Sequence, residues 1–186
     1  MAMAPAPPDP PLTDGVVTLR PWGEEGDVEA IRAACNDPQI ATFLDRIPSP
    51  YTEDDAREYL ALTREGWTEG TMANFAIVEA GRPVGAIGVR WLDGFDEGTA
   101  EVGYWVASDA RGRGLCTRAL RLVSIWALES AERLQLRADV ENGPSNRVAE
   151  KAGFRREGVL RSSRYNGRLG RRVDFAMYSL LPSDLD

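Results

Sequence analysis

The stretch DARGRGLCTRAL, residues 109–120, sets two glycines between arginines and passes at once into an apolar pattern of helical spacing. Glycine reaches positive φ without steric penalty and lets a ligand approach the main chain. A helix that begins there leaves its first amides without intrahelical acceptors, and its dipole favours an anion at that end. Arg111 and Arg113 add positive charge. The segment reads either as a solvated turn with a glycine-assisted helix start or as a cradle for a phosphate or pyrophosphate. Two common phosphate loops do not fit. A Walker-type loop ends in Gly-Lys-Ser/Thr, whereas Leu115, Cys116 and Thr117 follow Gly114 here. A dinucleotide fingerprint needs a third glycine where Thr117 stands.

Outward from this loop the pattern is regular. TAEVGYWVA (99–107) alternates and is aromatic, which predicts a strand running into the loop. CTRALRLVSIWALESA (116–131) then predicts a helix with Leu120, Val123, Ala127 and Leu128 on its buried face. LQLRADV (134–140) predicts a strand parallel to the first, because a helical crossover joins them. Further strands are expected over 16–22, 74–80 and 83–92, with a closing antiparallel pair after residue 154. Helices are expected over 27–37, with Asp27 as N-cap and Pro38 past its end, over 51–67 with Thr52 as N-cap, and over 144–154. The result is a mixed α/β chain: a mainly antiparallel sheet of six to seven strands, flanked by helices. Residues 1–13, rich in proline, are expected to be a disordered tail before a single domain over 14–183.

Composition narrows the chemistry. The 186 residues carry a net charge of −7, the wrong balance for a protein that lives on nucleic-acid phosphate. No apolar run approaches the ~20 residues that cross a bilayer. Cys35 and Cys116 form no metal-ligand spacing, so no metal is expected, and a cytoplasmic location is the default. Histidine is absent altogether, which removes His-activated nucleophiles and His-based metal sites.

Strand EVGYWV, the Arg111–Gly114 loop, the helix after it and VENGPSNRVAEKAGFRREG (140–158) together resemble the GNAT acetyltransferase superfamily. More narrowly, they resemble its branch of ribosomal-protein N-terminal (RimJ/RimL-type) acetyltransferases. VVTLRPW (16–22) and YTEDDAREYL (51–60) also look like the family's opening elements, so the likeness spans nearly the whole chain after the tail. The resemblance implies a GNAT-like sheet with splayed central parallel strands. It implies a loop that holds the pyrophosphate of acetyl-CoA on main-chain amides, here Arg111, Gly112, Arg113, Gly114, Leu115, Cys116 and Thr117. Cys116 departs from the Gly or Ala usual at its position and brings in a thiol open to oxidation unless buried. A bulged strand would let Trp105 and Val106 bond the pantetheine arm and the acetyl carbonyl, and Asn142 and Asn146 would also face the cofactor.

For catalysis the resemblance points to Ser145, or a nearby tyrosine such as Tyr104, as proton donor to the leaving thiolate. Asn142 and Ser145 equally suit a plain helix start. Glu101 is the best candidate base, with a structural ion pair as its competing role. Tyr165 is a lesser candidate. An acidic rim of Asp93, Asp96, Glu97 and Glu101 would draw a cationic acceptor. The implied reaction is direct transfer of an acetyl group to a primary amine, with a peptide N-terminus as the leading acceptor. An antibiotic or polyamine acceptor and a non-catalytic acyl-CoA sensor remain open, and the resemblance is compatible with a homodimer.

Overall fold

A computed structural model describes residues 4–44 and 46–185. One sheet organises them. Its strands are β1 (Leu12–Thr13), β2 (Thr18–Pro21), β3 (Met72–Glu79), β4 (Arg82–Trp91), β5 (Thr99–Val106), β6 (Arg133–Asp139), β7 (Arg155–Asn166) and β8 (Arg171–Leu180). They lie in the order β1-β2-β3-β4-β5-β6-β8-β7, antiparallel except for β5 and β6. The helices are α1 (Asp27–Cys35), α2 (Pro38–Phe43), α3 (Glu53–Glu69), α4 (Leu115–Ala127) and α5 (Gly143–Lys151).

The sheet has eight strands rather than six to seven because the proline-rich segment contributes one. Leu12 and Thr13 pair with Leu19 and Thr18. Further back, the Ala4 amide donates to the Gly70 carbonyl at 2.8 Å. Ala4 and Leu12–Thr13, within the segment read as a disordered tail, are thus bonded to the fold; residues 1–3 lie outside the described residues.

The two faces of the sheet are covered differently. On one, α4 buries Leu115, Ala119, Leu120, Val123 and Trp126 against Phe75, Ile87, Val89, Val102 and Leu134. On the other, Ile31 and Cys35 of α1, Tyr51, and Ala56 of α3 pack on Ala76, Ala86 and Trp105. The β4–β5 register is unbroken from Gly85↔Val106 to Trp91↔Ala100, so the bulge expected in β5 is absent. The register shift falls between β3 and β4 instead, at Ile77/Val78.

Two helix starts differ from expectation. Gly26 caps α1, while Asp27 is its first residue and its buried carboxylate accepts from the Gly23 and Glu24 amides and from Arg20. Pro38 stands past the end of α1, as expected, and also opens a further helix, α2, which was not expected. Asp37 caps it, its Oδ1 accepting from the Gln39 and Ile40 amides, and proline suits the first turn because its missing N–H would have no acceptor there. Thr52 caps α3 as expected, in a reciprocal box with Asp55.

Candidate active site

Pairing between β5 and β6 lasts only three residues, from Thr99↔Arg133 to Glu101↔Gln135. Beyond that point the strands separate, as the resemblance implied, and the far edge of β5 is left open. Backbone alternation decides which of its groups face the gap. At the two ends of the ladder, Leu92 N–H donates to the Thr99 carbonyl and Ala107 N–H to the Val84 carbonyl. Odd-numbered residues of β5 therefore turn their main-chain groups toward β4, and Tyr104 and Val106 turn theirs toward the gap. The Trp105 carbonyl confirms this sense: a Cβ added to Gly85 would sit 2.5 Å from it. The Val106 amide is thus a donor at the open edge, nearer the loop than that of Tyr104. The Trp105 main chain is not available there, and its indole lies on the opposite face, stacked on Trp22 with centroids 6.4 Å apart.

The loop that follows holds Gly112 at φ 75° and Gly114 at φ 77°. A Cβ on either would meet nothing within 4 Å, so it is the dihedral and not crowding that demands glycine. Gly114 is the N-cap of α4 and makes no side-chain cap bond. The first helical bond runs from Arg118 N–H to the Gly114 carbonyl, leaving the amides of Leu115, Cys116 and Thr117 pointed out of the helix end.

A cavity of about 500 Å³ opens on these amides. Tyr104, Trp105 and Val106 line one wall and Asn142, Ser145, Arg147 and Lys151 another, with Gln39, Phe43 and Leu44 across the mouth. The Asn166 amide bonds the Thr42 carbonyl at 2.8 Å, and this contact from the β7–β8 turn holds α2 in place.

The arginines of the loop serve another purpose than expected. Arg111 donates to Asp37 at 2.9 Å, to Gln39 at 2.7 Å and to the Val106 carbonyl at 3.1 Å, tying the loop to α2. Arg113 forms a two-pronged pair with Glu79 at 2.6 and 2.8 Å. The cationic side chains on the cavity wall that have no ion-pair partner among the described residues are Arg147 and Lys151. They were missed in the sequence, although their i, i+4 spacing on a helix opening at Asn142 was a usable sign.

Asn142 both lines the cavity and caps α5, its Oδ1 accepting from the Ser145 amide at 3.2 Å. Asn146 does not face the cofactor side. Its Nδ2 bonds the Asp139 and Asn142 carbonyls and its Oδ1 accepts from Tyr178, so it fastens α5 to β6 and β8. Cys116 is at the cavity wall, and burial pushes its thiol up to about 12, which keeps it protonated and unreactive.

Tyr104 and Ser145 meet across the gap. The phenol oxygen lies 3.1 Å from Ser145 Oγ and 3.1 Å from the Ser145 carbonyl. Burial, with a smaller contribution from Cys116, raises the Tyr104 pKa, so the phenol remains a proton donor throughout the neutral range.

Glu101 is on the other face of β5 and is fully engaged. Its carboxylate contacts Arg137 at 2.7 Å, Gln135 at 3.0 Å and Arg90 at 3.5 Å. Burial, the largest single influence, would raise its pKa, but Arg137, Arg90 and Gln135 together outweigh burial and hold the carboxyl below its ordinary value. It is ion-paired in the way its competing reading required. Glu101 borders a second cavity of about 330 Å³, which shares Leu44, Tyr104 and Trp105 with the first. Asp93, Asp96 and Glu97 sit at the start of β5, the end remote from the loop, and line neither cavity. Tyr165 is exposed on β7 and lines neither as well.

Residues 17–155 match the model of the acetyltransferase (GNAT) domain family. The chain is 27% identical over 170 residues to the uncharacterized N-acetyltransferase p20 of Bacillus licheniformis, covering 89% of this chain and 92% of that one. It is 28% identical over 116 residues to the ribosomal-protein-serine acetyltransferase of Escherichia coli, 61% of this chain and 64% of the relative. Among solved structures, Mycobacterium smegmatis RimJ in complex with CoA-disulfide superposes with a TM-score of 0.81 at 24% identity, over 94% of this chain and 87% of that one. Among the described residues no cluster of side chains suits a metal ion, and no helix is long and apolar enough to cross a membrane. The splayed strands, the glycine loop capping α4 and the family match together place the chain in the GNAT acetyltransferase family.

Proposed function

We propose that the protein transfers an acetyl group from acetyl-CoA to the α-amino group of a peptide or protein by direct attack in a ternary complex. The observation that carries this reading is the open edge of β5. It sets one main-chain donor, Val106 N–H, between an anion cradle and a protonated phenol. The cradle fits a diphosphate: outward-facing amides at residues 115–117, two glycines at positive φ, and Arg147 and Lys151 on the wall. Solved relatives support the donor, since RimJ was determined with a form of coenzyme A.

In the proposed reaction the neutral amine attacks the thioester carbonyl, and the Val106 amide receives the charge that develops on its oxygen. Collapse breaks the C–S bond. The thiolate takes a proton from the Tyr104 hydroxyl, which regains one from Ser145 or water, and the amide product loses its extra proton to solvent. Thiolate is a good leaving group, so this donor has modest work to do. The acceptor follows from the proton balance. No histidine exists, and Glu101 is held as an ion pair with a lowered pKa. An α-amine with pKa about 8 is roughly a tenth neutral at pH 7, whereas a lysine is neutral about once in 2,500. A site with so little base suits the former. The E. coli relative named for a ribosomal-protein serine supports a protein acceptor.

The test is release of free thiol from acetyl-CoA with peptides and with lysine analogues blocked at the α-amine. The expected result is turnover of free N-termini and little of the blocked lysines. Tight coenzyme A binding with no thiol release on any amine would reduce the protein to a sensor.

A further inference from the structure

We infer that the second cavity, beneath α1 and α3, is a pocket for the side chain of the acceptor's first residue, and that it selects a large apolar one. The inference rests on the transferase reading above and adds to it the class of N-terminus that is modified.

The cavity holds about 330 Å³, near the lower end of the roughly 300–1,000 Å³ of small-ligand sites. It meets the coenzyme cavity at Leu44, Tyr104 and Trp105. An amine placed at that junction, beside the thioester, would direct whatever it carries either to solvent or into this space. The walls are Ile31, Cys35, Ile47, Tyr51 and Tyr59. Burial pushes the Cys35 thiol up to about 11 and raises both tyrosines, so all three are neutral at pH 7. Among the described residues that line it, charge appears only at one end, where Arg90 and Glu101 pair. Such a lining favours apolar surface and penalises an acidic or basic side chain.

The floor is the specific feature. Gly88 and Gly103 face each other across the β4–β5 ladder. A Cβ on Gly88 would fall 2.2 Å from Asn74 Oδ1, so the Asn74 side chain already fills the space over that glycine. A Cβ on Gly103 would meet nothing within 4 Å, because the space above it is the cavity itself. Gly103 does not lie at positive φ, so neither its dihedral nor its packing calls for glycine. The missing side chain has one consequence, which is room.

The experiment compares kcat/KM for a peptide series differing only in the first residue (Phe, Leu, Ala, Ser, Asp, Lys), with phenethylamine as a free amine. It uses the wild-type chain and the G103A and G103V variants. Valine suits a strand, and coenzyme A affinity by calorimetry shows that each variant is folded. We expect Phe and Leu peptides to exceed Ala and Ser by tenfold or more. G103V should cut the Phe to Ala ratio at least tenfold, with G103A between. Efficient turnover of phenethylamine but not of peptides would overturn the peptide assignment. Equal rates across the series, or a ratio unmoved by G103V, would overturn the pocket while leaving the transferase intact. No turnover on any amine, with coenzyme bound, would remove the transferase reading and this inference with it.

Discussion

Gly114 shows how one residue carries the donor site. Its left-handed φ lets the chain turn into α4 with the amides of residues 115–117 outward. A side chain there costs about 1–2 kcal/mol of backbone strain, and a carboxylate would add repulsion for a diphosphate. We expect Gly114→Ala to weaken coenzyme A binding about tenfold and Gly114→Asp more than a hundredfold, read by calorimetry. Arg113→Ala should change affinity by less than about fivefold, because its guanidinium belongs to an exposed pair with Glu79 worth at most about 1 kcal/mol. Replacing Arg147 and Lys151 together should cost more than tenfold. The contrast shows what was legible. The need for glycine is local and can be read from the string GRG, as can the start of a helix behind it. The side-chain partners of Arg111 and Arg113 lie 34 to 74 positions away, and no local pattern announces them. For the same reason Glu101 read as a base until Arg137 and Gln135 appeared beside it. The pH dependence follows from Tyr104 and Glu101 together. The raised phenol stays protonated well above pH 9, and the lowered carboxyl is ionised from well below pH 5. Neither titrates between, so kcat/KM should climb with the acceptor amine up to about pH 8 and then level without falling by pH 9.5. Tyr104→Phe should lower kcat about tenfold with little change in coenzyme affinity.

At the scale of elements, the start of α1 depends on one buried pair. Asp27 is fully buried and receives Arg20 at 2.8 and 2.9 Å and two amides at 2.8 and 2.9 Å. Deleting one member of such a pair strands the other, at about 3–5 kcal/mol. Asp27→Ala should therefore lower Tm by roughly 6–20 °C for a chain of this size. Burial would raise the Asp27 pKa, but Arg20 and the amides outweigh it and the net shift is downward. The stabilisation is then complete above the unfolded value of about 3.9 and fades as pH falls through the lower folded value. Acid unfolding below pH 4 should be shallower in Asp27→Asn than in the wild type. Asp27 illustrates a limit of pattern reading: an acidic residue before an apolar run looks the same whether it caps a helix or salts an arginine into the core. The omission of α2 is different, since Asp37-Pro38 was a complete start signal. It was masked by its closeness to the end of α1 and by the six-residue length of the helix.

Across the whole molecule, the gap between β5 and β6 divides the sheet into two parts joined by three residue pairs, the α4 crossover, and side-chain contacts that include Tyr104–Ser145, Glu101–Arg137 and Asn166–Thr42. The parallel crossover was readable from strand–helix–strand order, and the antiparallel remainder from consecutive strands. The extent of the gap was not, because where a ladder stops depends on how α4 and α5 sit on it. A ligand that lies along the gap contacts α2, α4, α5 and β5 at once, so binding and stability are linked. At a coenzyme A concentration one hundred times Kd, mass action contributes about 2.7 kcal/mol. For a chain of this length that is a rise in Tm of about 5–11 °C. Gly114→Asp should abolish nearly all of the rise at the same concentration while costing the unliganded fold only the ~1–2 kcal/mol of backbone strain, since a Cβ there meets nothing within 4 Å. Differential scanning fluorimetry of both proteins, with and without coenzyme A, decides the matter. Equal shifts in the two would place the nucleotide away from the α4 terminus.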